Sequence, residues 1–227
     1  MRIKNLFNWL LWDGYFRRSV MKSGFWFVDV PRTGSSSLRH NLALAFGFPH
    51  GKTALGWLPY KKSMYLPAHT PAENVRQIIG QKNWGKLFTF SFVRNPYVRF
   101  VSLYNHYRFR EKSWTGSFPD FVRSLSDHPP ESPLRKKPVY AYRQVDYLMD
   151  REGNRLVSFL GRYESRTSDL SYIIEKLKIK EWDDAVYTAS TQKSEQEFDI
   201  MYSEDLRNIV REHFHADFEA FEYPPDL

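Results

Sequence analysis

Gly24-Phe25-Trp26-Phe27-Val28-Asp29-Val30-Pro31-Arg32-Thr33-Gly34-Ser35-Ser36-Ser37-Leu38 is the stretch on which the fold turns. Its first seven residues are mostly aromatic or β-branched and stop at a turn-forming Pro31, the pattern of a buried strand. Small and polar residues follow. Leu38, Leu42, Ala45 and Phe46 then recur at helical spacing, so the unit reads strand, loop, helix. The same unit returns downstream. Leu87 to Val93, Leu-Phe-Thr-Phe-Ser-Phe-Val, alternates phenylalanine as a strand does; Arg94-Asn95-Pro96 makes a second loop; and Val98, Val101, Leu103 and Tyr104 mark a second helix. Strands alternating with helices predict an α/β fold, a central parallel sheet flanked by helices. Ligands of such sheets bind at the carboxyl ends of the strands, where both loops lie.

The remaining segments read more coarsely. Gly47 to Pro67 is loop, and Thr70-Pro71 reads as an N-cap followed by proline at the first helical position, with Val75, Ile78 and Ile79 inward and Gly80 ending the helix. Phe109 to Tyr140 is a polar, Pro-rich excursion carrying Arg135, Lys136 and Lys137, with one short helix from Phe118 to Leu125. Tyr147 to Leu160 reads as a hairpin turning at Glu152-Gly153-Asn154. Leu170 to Leu177 is helical, and so is Tyr202 to Phe221, with a break near His213. No domain boundary shows, so residues 1–227 are expected to form one domain.

Composition narrows the chemistry. With 42% hydrophobic and 17% aromatic residues the chain has ample material for a core. A net charge of +7 suits an anionic ligand, an acidic polymer or nucleic acid, or a solvated basic surface, and does not choose among them. The absence of cysteine excludes disulfides, thiolate metal sites and a cysteine nucleophile. The apolar run Trp9 to Trp12 is too short for a signal peptide's core or a membrane span. It fits an amphipathic helix, packed on the domain as the favoured reading or touching lipid as the alternative. A cytoplasmic location is expected, with the lumenal part of a truncated, membrane-anchored enzyme as the alternative.

Two loops carry the candidate chemistry. In the first, Gly34 and Ser35, Ser36 and Ser37 let backbone N–H groups converge at a helix N-terminus, an anion cradle to which Arg32 adds charge; the plainer reading is a serine-rich cap. A nucleoside-triphosphate P-loop it is not. Gly51-Lys52-Thr53 is the only Gly-Lys-Thr, Gly47 lies one residue too close to it, and no strand precedes it. The second loop supplies Arg94, with Ser102 about two turns into its helix. Two anion sites on one sheet match a nucleotide phosphorylated at both its 5' and 3' positions.

Pro31-Arg32-Thr33-Gly34-Ser35-Ser36-Ser37-Leu38 resembles the 5'-phosphosulfate-binding loop of sulfotransferases that use 3'-phosphoadenosine 5'-phosphosulfate (PAPS). Phe92-Val93-Arg94-Asn95-Pro96-Tyr97-Val98-Arg99-Phe100-Val101-Ser102-Leu103-Tyr104 resembles their 3'-phosphate-binding segment and is the more specific match. Ala68-His69-Thr70-Pro71-Ala72, Gln144-Val145-Asp146-Tyr147-Leu148, Gly161-Arg162-Tyr163-Glu164, Asp205-Leu206-Arg207 and Asp217-Phe218-Glu219 resemble further segments of the family, nearest its carbohydrate (Golgi-type) branch and that branch's bacterial relatives. The likeness runs from Gly24 to Tyr223; residues 1–22 are an extension outside it.

The resemblance implies a P-loop-like sulfotransferase fold and a role for each motif residue. Arg32, Thr33, Gly34, Ser35, Ser36 and Ser37 would hold the phosphosulfate, Arg94 and Ser102 the 3'-phosphate, and Tyr163 the adenine. His69 would be the general base, an imidazole suited to taking the acceptor hydroxyl's proton. Most members carry lysine where Arg32 stands; arginine keeps the charge but does not give up a proton. The implied reaction moves a sulfuryl group from PAPS to an acceptor hydroxyl, carbohydrate being the expected class, with no metal and no nucleic acid as partner. The competing classes are a nucleotide-dependent phosphotransferase and a non-catalytic polyanion or nucleotide binder. Among the remaining residues, His213 and His215 read as surface and His106 as core or rim. Asp29 is a partner for Arg32, a serine or another cation, and Trp57, Trp84 and Trp114 are loop aromatics for core packing or sugar stacking.

Overall fold

The computed structural model describes residues 16–46, 69–132, 138–183 and 201–226. The expectations for Gly47 to Pro67, for Trp9 to Trp12 and Trp57, and for Arg135 to Lys137 lie outside these residues. Two compact units share the chain. One takes Met1–Val30, Gly34–Phe92 and Tyr147–Tyr187; the other takes Pro31–Thr33, Val93–Asp146 and Thr188–Leu227.

The first unit holds the sheet. β1 (Phe25–Phe27) pairs in parallel with β2 (Phe88–Val93), Phe25 opposite Phe88 and Phe27 opposite Phe90. β3 (Phe159–Arg162) lies on the other side of β2, giving the order β1-β2-β3. Among the described residues the sheet has three strands and is parallel with flanking helices, the α/β class that was expected. Residues 25–30 are all buried, which is why the first strand reads as a continuous apolar run rather than an alternating one. Beyond the regular pairing, the Ser91 hydroxyl donates to the Val28 carbonyl at 2.7 Å. α1 (residues 16–23) sets Phe16 edge-on to Trp26. α2 (Ser35–Phe46), α3 (Ala72–Ile79) and α4 (Gln81–Trp84) follow, and α8 (Arg166–Lys176) sets Tyr172 against Phe159 beside β3.

The second unit is helical. α5 (Pro96–Asn105) starts on Asn95, whose side chain accepts the N–H groups of Tyr97 and Val98. Its Phe100 and Tyr97 enter an aromatic core with Phe121, Phe214, Phe218 and Tyr202. The helix runs on into a π turn (His106–Arg110). α6 (Phe118–Arg123) opens with a capping box between Ser117 and Asp120. α9 (Glu204–His213) and α10 (His215–Ala220) follow, with the break expected near His213 falling at Phe214, and α7 (Val145–Leu148) bridges the point where the chain passes from this unit back to the first.

Several local expectations are corrected. Pro71 is the N-cap of α3 and Ala72 its first residue, because Pro71 keeps an extended ψ of 146°. On α2, Ala43 and not Ala45 is buried; the buried face turns toward Asn41, whose amide clamps the main chain of Asp183. The 147–160 hairpin shrinks to a single antiparallel bridge, Met149 to Arg155, because Tyr147 and Leu148 belong to α7. Trp84 is buried and donates its indole N–H to the Leu156 carbonyl at 2.8 Å, so it is a core residue. His213 is buried too, hydrogen-bonded to the Ala141 carbonyl. Its spacing from Leu206 and Val210 continues the inward stripe of α9, which comparison with His215 alone conceals.

Candidate functional site

The first loop's glycine marks where α2 begins. Gly34 has φ +82°, a left-handed conformation, and a Cβ there would lie 2.1 Å from Nη1 of Arg166 and 3.0 Å from the Tyr163 ring. Arg166, 2% exposed, donates from Nη1 to the Gly34 carbonyl at 2.9 Å and from Nη2 to the Ser37 hydroxyl at 2.6 Å. Its guanidinium also stands over the Phe92 ring. α2 then starts with Ser35, Ser36 and Ser37 and has no acidic residue in its first turn, so its N-terminal N–H groups keep their positive character. Ser35 is buried, Ser37 half-buried and Ser36 exposed.

Behind this helix start lies an ion-pair cluster around Asp29, for which the sequence offered a serine or a cation as partner without selecting Arg39 and His69. Asp29 is buried at the end of the β1 run. One carboxylate oxygen sits 3.1 Å from Nη1 of Arg39, the other 3.2 Å from Nδ1 of His69. The His69 Nδ1 also hydrogen-bonds the main-chain oxygen of Asp29 at 3.0 Å. Burial pushes the Asp29 carboxyl up, but the His69 hydrogen bond, the charges of His69 and Arg39 and the Ser35 hydroxyl outweigh it and hold the group below its ordinary value. His69 itself has φ +64°. These residues, with Gly34 to Ser37, Tyr163 and Arg166, all belong to the first unit.

The second unit gathers the other candidates. Arg32, at φ +66°, donates from Nε to the Ser102 hydroxyl at 3.0 Å, and Arg94 donates from Nη1 to the Arg32 carbonyl at 3.4 Å. Arg32, Arg94 and Ser102, read from two separate motifs, are thus neighbours. Thr33 beside them is fully buried. Two buried residues hold this group from behind. Gln144 clamps the Arg94 main chain, accepting its N–H at 2.9 Å and donating to its carbonyl at 2.8 Å. Arg99, 1% exposed, donates from Nε to the Pro31 carbonyl at 3.0 Å and from both terminal nitrogens to the Tyr142 carbonyl at 3.1 Å. Both stand in motifs that resemble the family, and that resemblance was the only signal that marked them.

A family model described as the sulfotransferase family matches residues 21–224. An uncharacterized protein of Archaeoglobus fulgidus is 28% identical over 112 residues, 49% of this chain and 84% of that relative. No solved structure matches the chain. The family match extends over nearly the whole chain, both loops and the His69 segment included, and by it the chain belongs to the sulfotransferase family.

Proposed function

We propose that the protein transfers the sulfuryl group of PAPS to a hydroxyl of a carbohydrate. The observation that carries this reading is the convergence of Arg32, Arg94 and Ser102, two fixed cations and a hydroxyl drawn together from two separate motifs. Arg94 and Ser102 suit a phosphate that a simple 5'-nucleotide lacks, and Arg32 beside them supplies charge for the phosphosulfate. The cradle suits the phosphosulfate: the start of α2 brings N–H groups without acidic side chains.

In this reading Gly34 and Ser35 to Ser37, with Thr33 and Arg32, bind the phosphosulfate. Arg94 and Ser102 bind the 3'-phosphate, and Tyr163 lies against the adenine. As the acceptor oxygen bonds to sulfur, the S–O bond to the phosphate breaks and negative charge grows on that phosphate, where Arg32 and the N–H groups stabilise it. His69 takes the acceptor's proton. Carbohydrate as the acceptor class rests on the likeness to the Golgi-type branch.

Calorimetry with 3',5'-bisphosphoadenosine, 5'-AMP and ATP tests the donor half. The bisphosphate should bind best, and Arg94→Ala should weaken it about 10- to 100-fold, the worth of one charge-assisted hydrogen bond. Equal binding of the three nucleotides overturns the reading, and magnesium-dependent preference for ATP points to a phosphotransferase instead. Labelled PAPS with a panel of glycans then tests the acceptor.

A further inference from the structure

Resting on the reading of His69 as the base, we infer that Asp29 is its positioning residue. Asp29 keeps the proton of the neutral imidazole on Nδ1, leaves Nε2 as the atom that accepts the acceptor's proton, and balances the charge that results.

The atoms around Nδ1 carry the argument. Its hydrogen-bond partner is the Asp29 main-chain oxygen at 3.0 Å, and the carboxylate Oδ1 is 3.2 Å away. A carbonyl and an ionised carboxylate only accept, so Nδ1 must donate and Nε2 must hold the lone pair. The Asp29 carboxylate is held ionised by its surroundings: Arg39 on one oxygen, His69 on the other, and Ser35 nearby. The Asp29 side chain is 1% exposed while His69 is 29% exposed, so the pair has a fixed inner member and an outer member open to solvent. The left-handed backbone of His69, a conformation disfavoured outside glycine, is kept with these two contacts in place.

The proton account closes. The acceptor O–H loses its proton to Nε2 as the O–S bond forms and the S–O bond to the leaving phosphate breaks. The imidazolium that results carries protons on both nitrogens and lies against the Asp29 carboxylate, and it returns the Nε2 proton to water after the bisphosphate departs. A carboxylate that orients and neutralises an imidazolium in this way acts through the histidine without touching the substrate.

Two-bond proton–nitrogen spectra of the labelled protein at alkaline pH, with His69→Gln to assign the signal, should show His69 protonated on Nδ1. A proton on Nε2 overturns the inference without recourse to any activity. Asp29→Asn should lower kcat on the order of 10²-fold and leave the KM for PAPS within about twofold, as for loss of general-base efficiency rather than of donor binding. Arg39→Gln, which removes the other partner of Asp29, should keep both the Nδ1 signal and most of kcat, separating charge on His69 from mere burial of the carboxylate. Full kcat in Asp29→Asn, with His69→Gln inactive, overturns the positioning role and spares the base. An active His69→Gln removes the base reading itself.

Discussion

Gly34 meets two demands at one atom. Its φ of +82° disfavours any side chain, and the space where a Cβ would stand is taken by Arg166 and Tyr163. Gly34→Ala should therefore lower stability by about 1 to 3 kcal/mol in chemical denaturation and also remove binding of the bisphosphate, since Arg166 must leave both Gly34 and Ser37. The glycine was legible in sequence because a small residue between a strand and a helix has few other uses. Arg166 was not, since nothing local distinguishes it from other arginines; its role comes from contact with residues more than a hundred positions earlier. Asp29 was half-legible. A carboxylate in a buried strand needs a cation, but the sequence offers many, and only tertiary placement selects Arg39 and His69 over Arg32.

At the scale of the element, helix ends follow local rules well. α8 closes with Lys178 in a left-handed conformation at φ +53°; Lys178 N–H bonds the Glu175 carbonyl and Ile179 N–H the Ile174 carbonyl. This is a Schellman closure at the position where glycine is favoured. Lys178→Gly should raise the unfolding free energy by about 1 kcal/mol, visible as a shifted urea midpoint at unchanged m-value. The two long apolar strands and the helices after them were readable for the same local reason. Elements held by distant groups were not. α7 replaces part of an expected hairpin because the Asp217 carboxylate accepts the N–H groups of Gln144 and Val145 at 2.8 and 2.9 Å, a cap supplied from far down the chain.

For the whole molecule that same carboxylate sets a pH dependence. Burial pushes Asp217 up to about 6, only partly offset by the Arg99 charge and the two N–H groups, against an ordinary 3.8. A carboxyl raised on folding binds its proton more tightly in the native state, so its stabilising share is present below the ordinary value and is lost as pH rises through about 6. Between pH 7 and pH 5 the wild type should gain on the order of 1 kcal/mol relative to Asp217→Asn in denaturant titrations. The second unit's aromatic core was foreshadowed by composition. Its partners were not, because Phe100, Phe121 and Phe214 meet only once the chain has folded back on itself.

The division of the chain has a consequence for its biosynthesis. Each unit is assembled from three separate stretches, and the first needs the stretch holding β3 and α8 as well as the early strands. On a ribosome delivering the N-terminus first, neither unit is complete when half the polypeptide has emerged. The aromatic β1 and β2 must wait, uncovered on one edge, for β3 to arrive. Nascent chains stalled before Phe159 should therefore be the species that chaperones hold and proteases cut, and those stalled after the whole chain has cleared the exit tunnel should resist both.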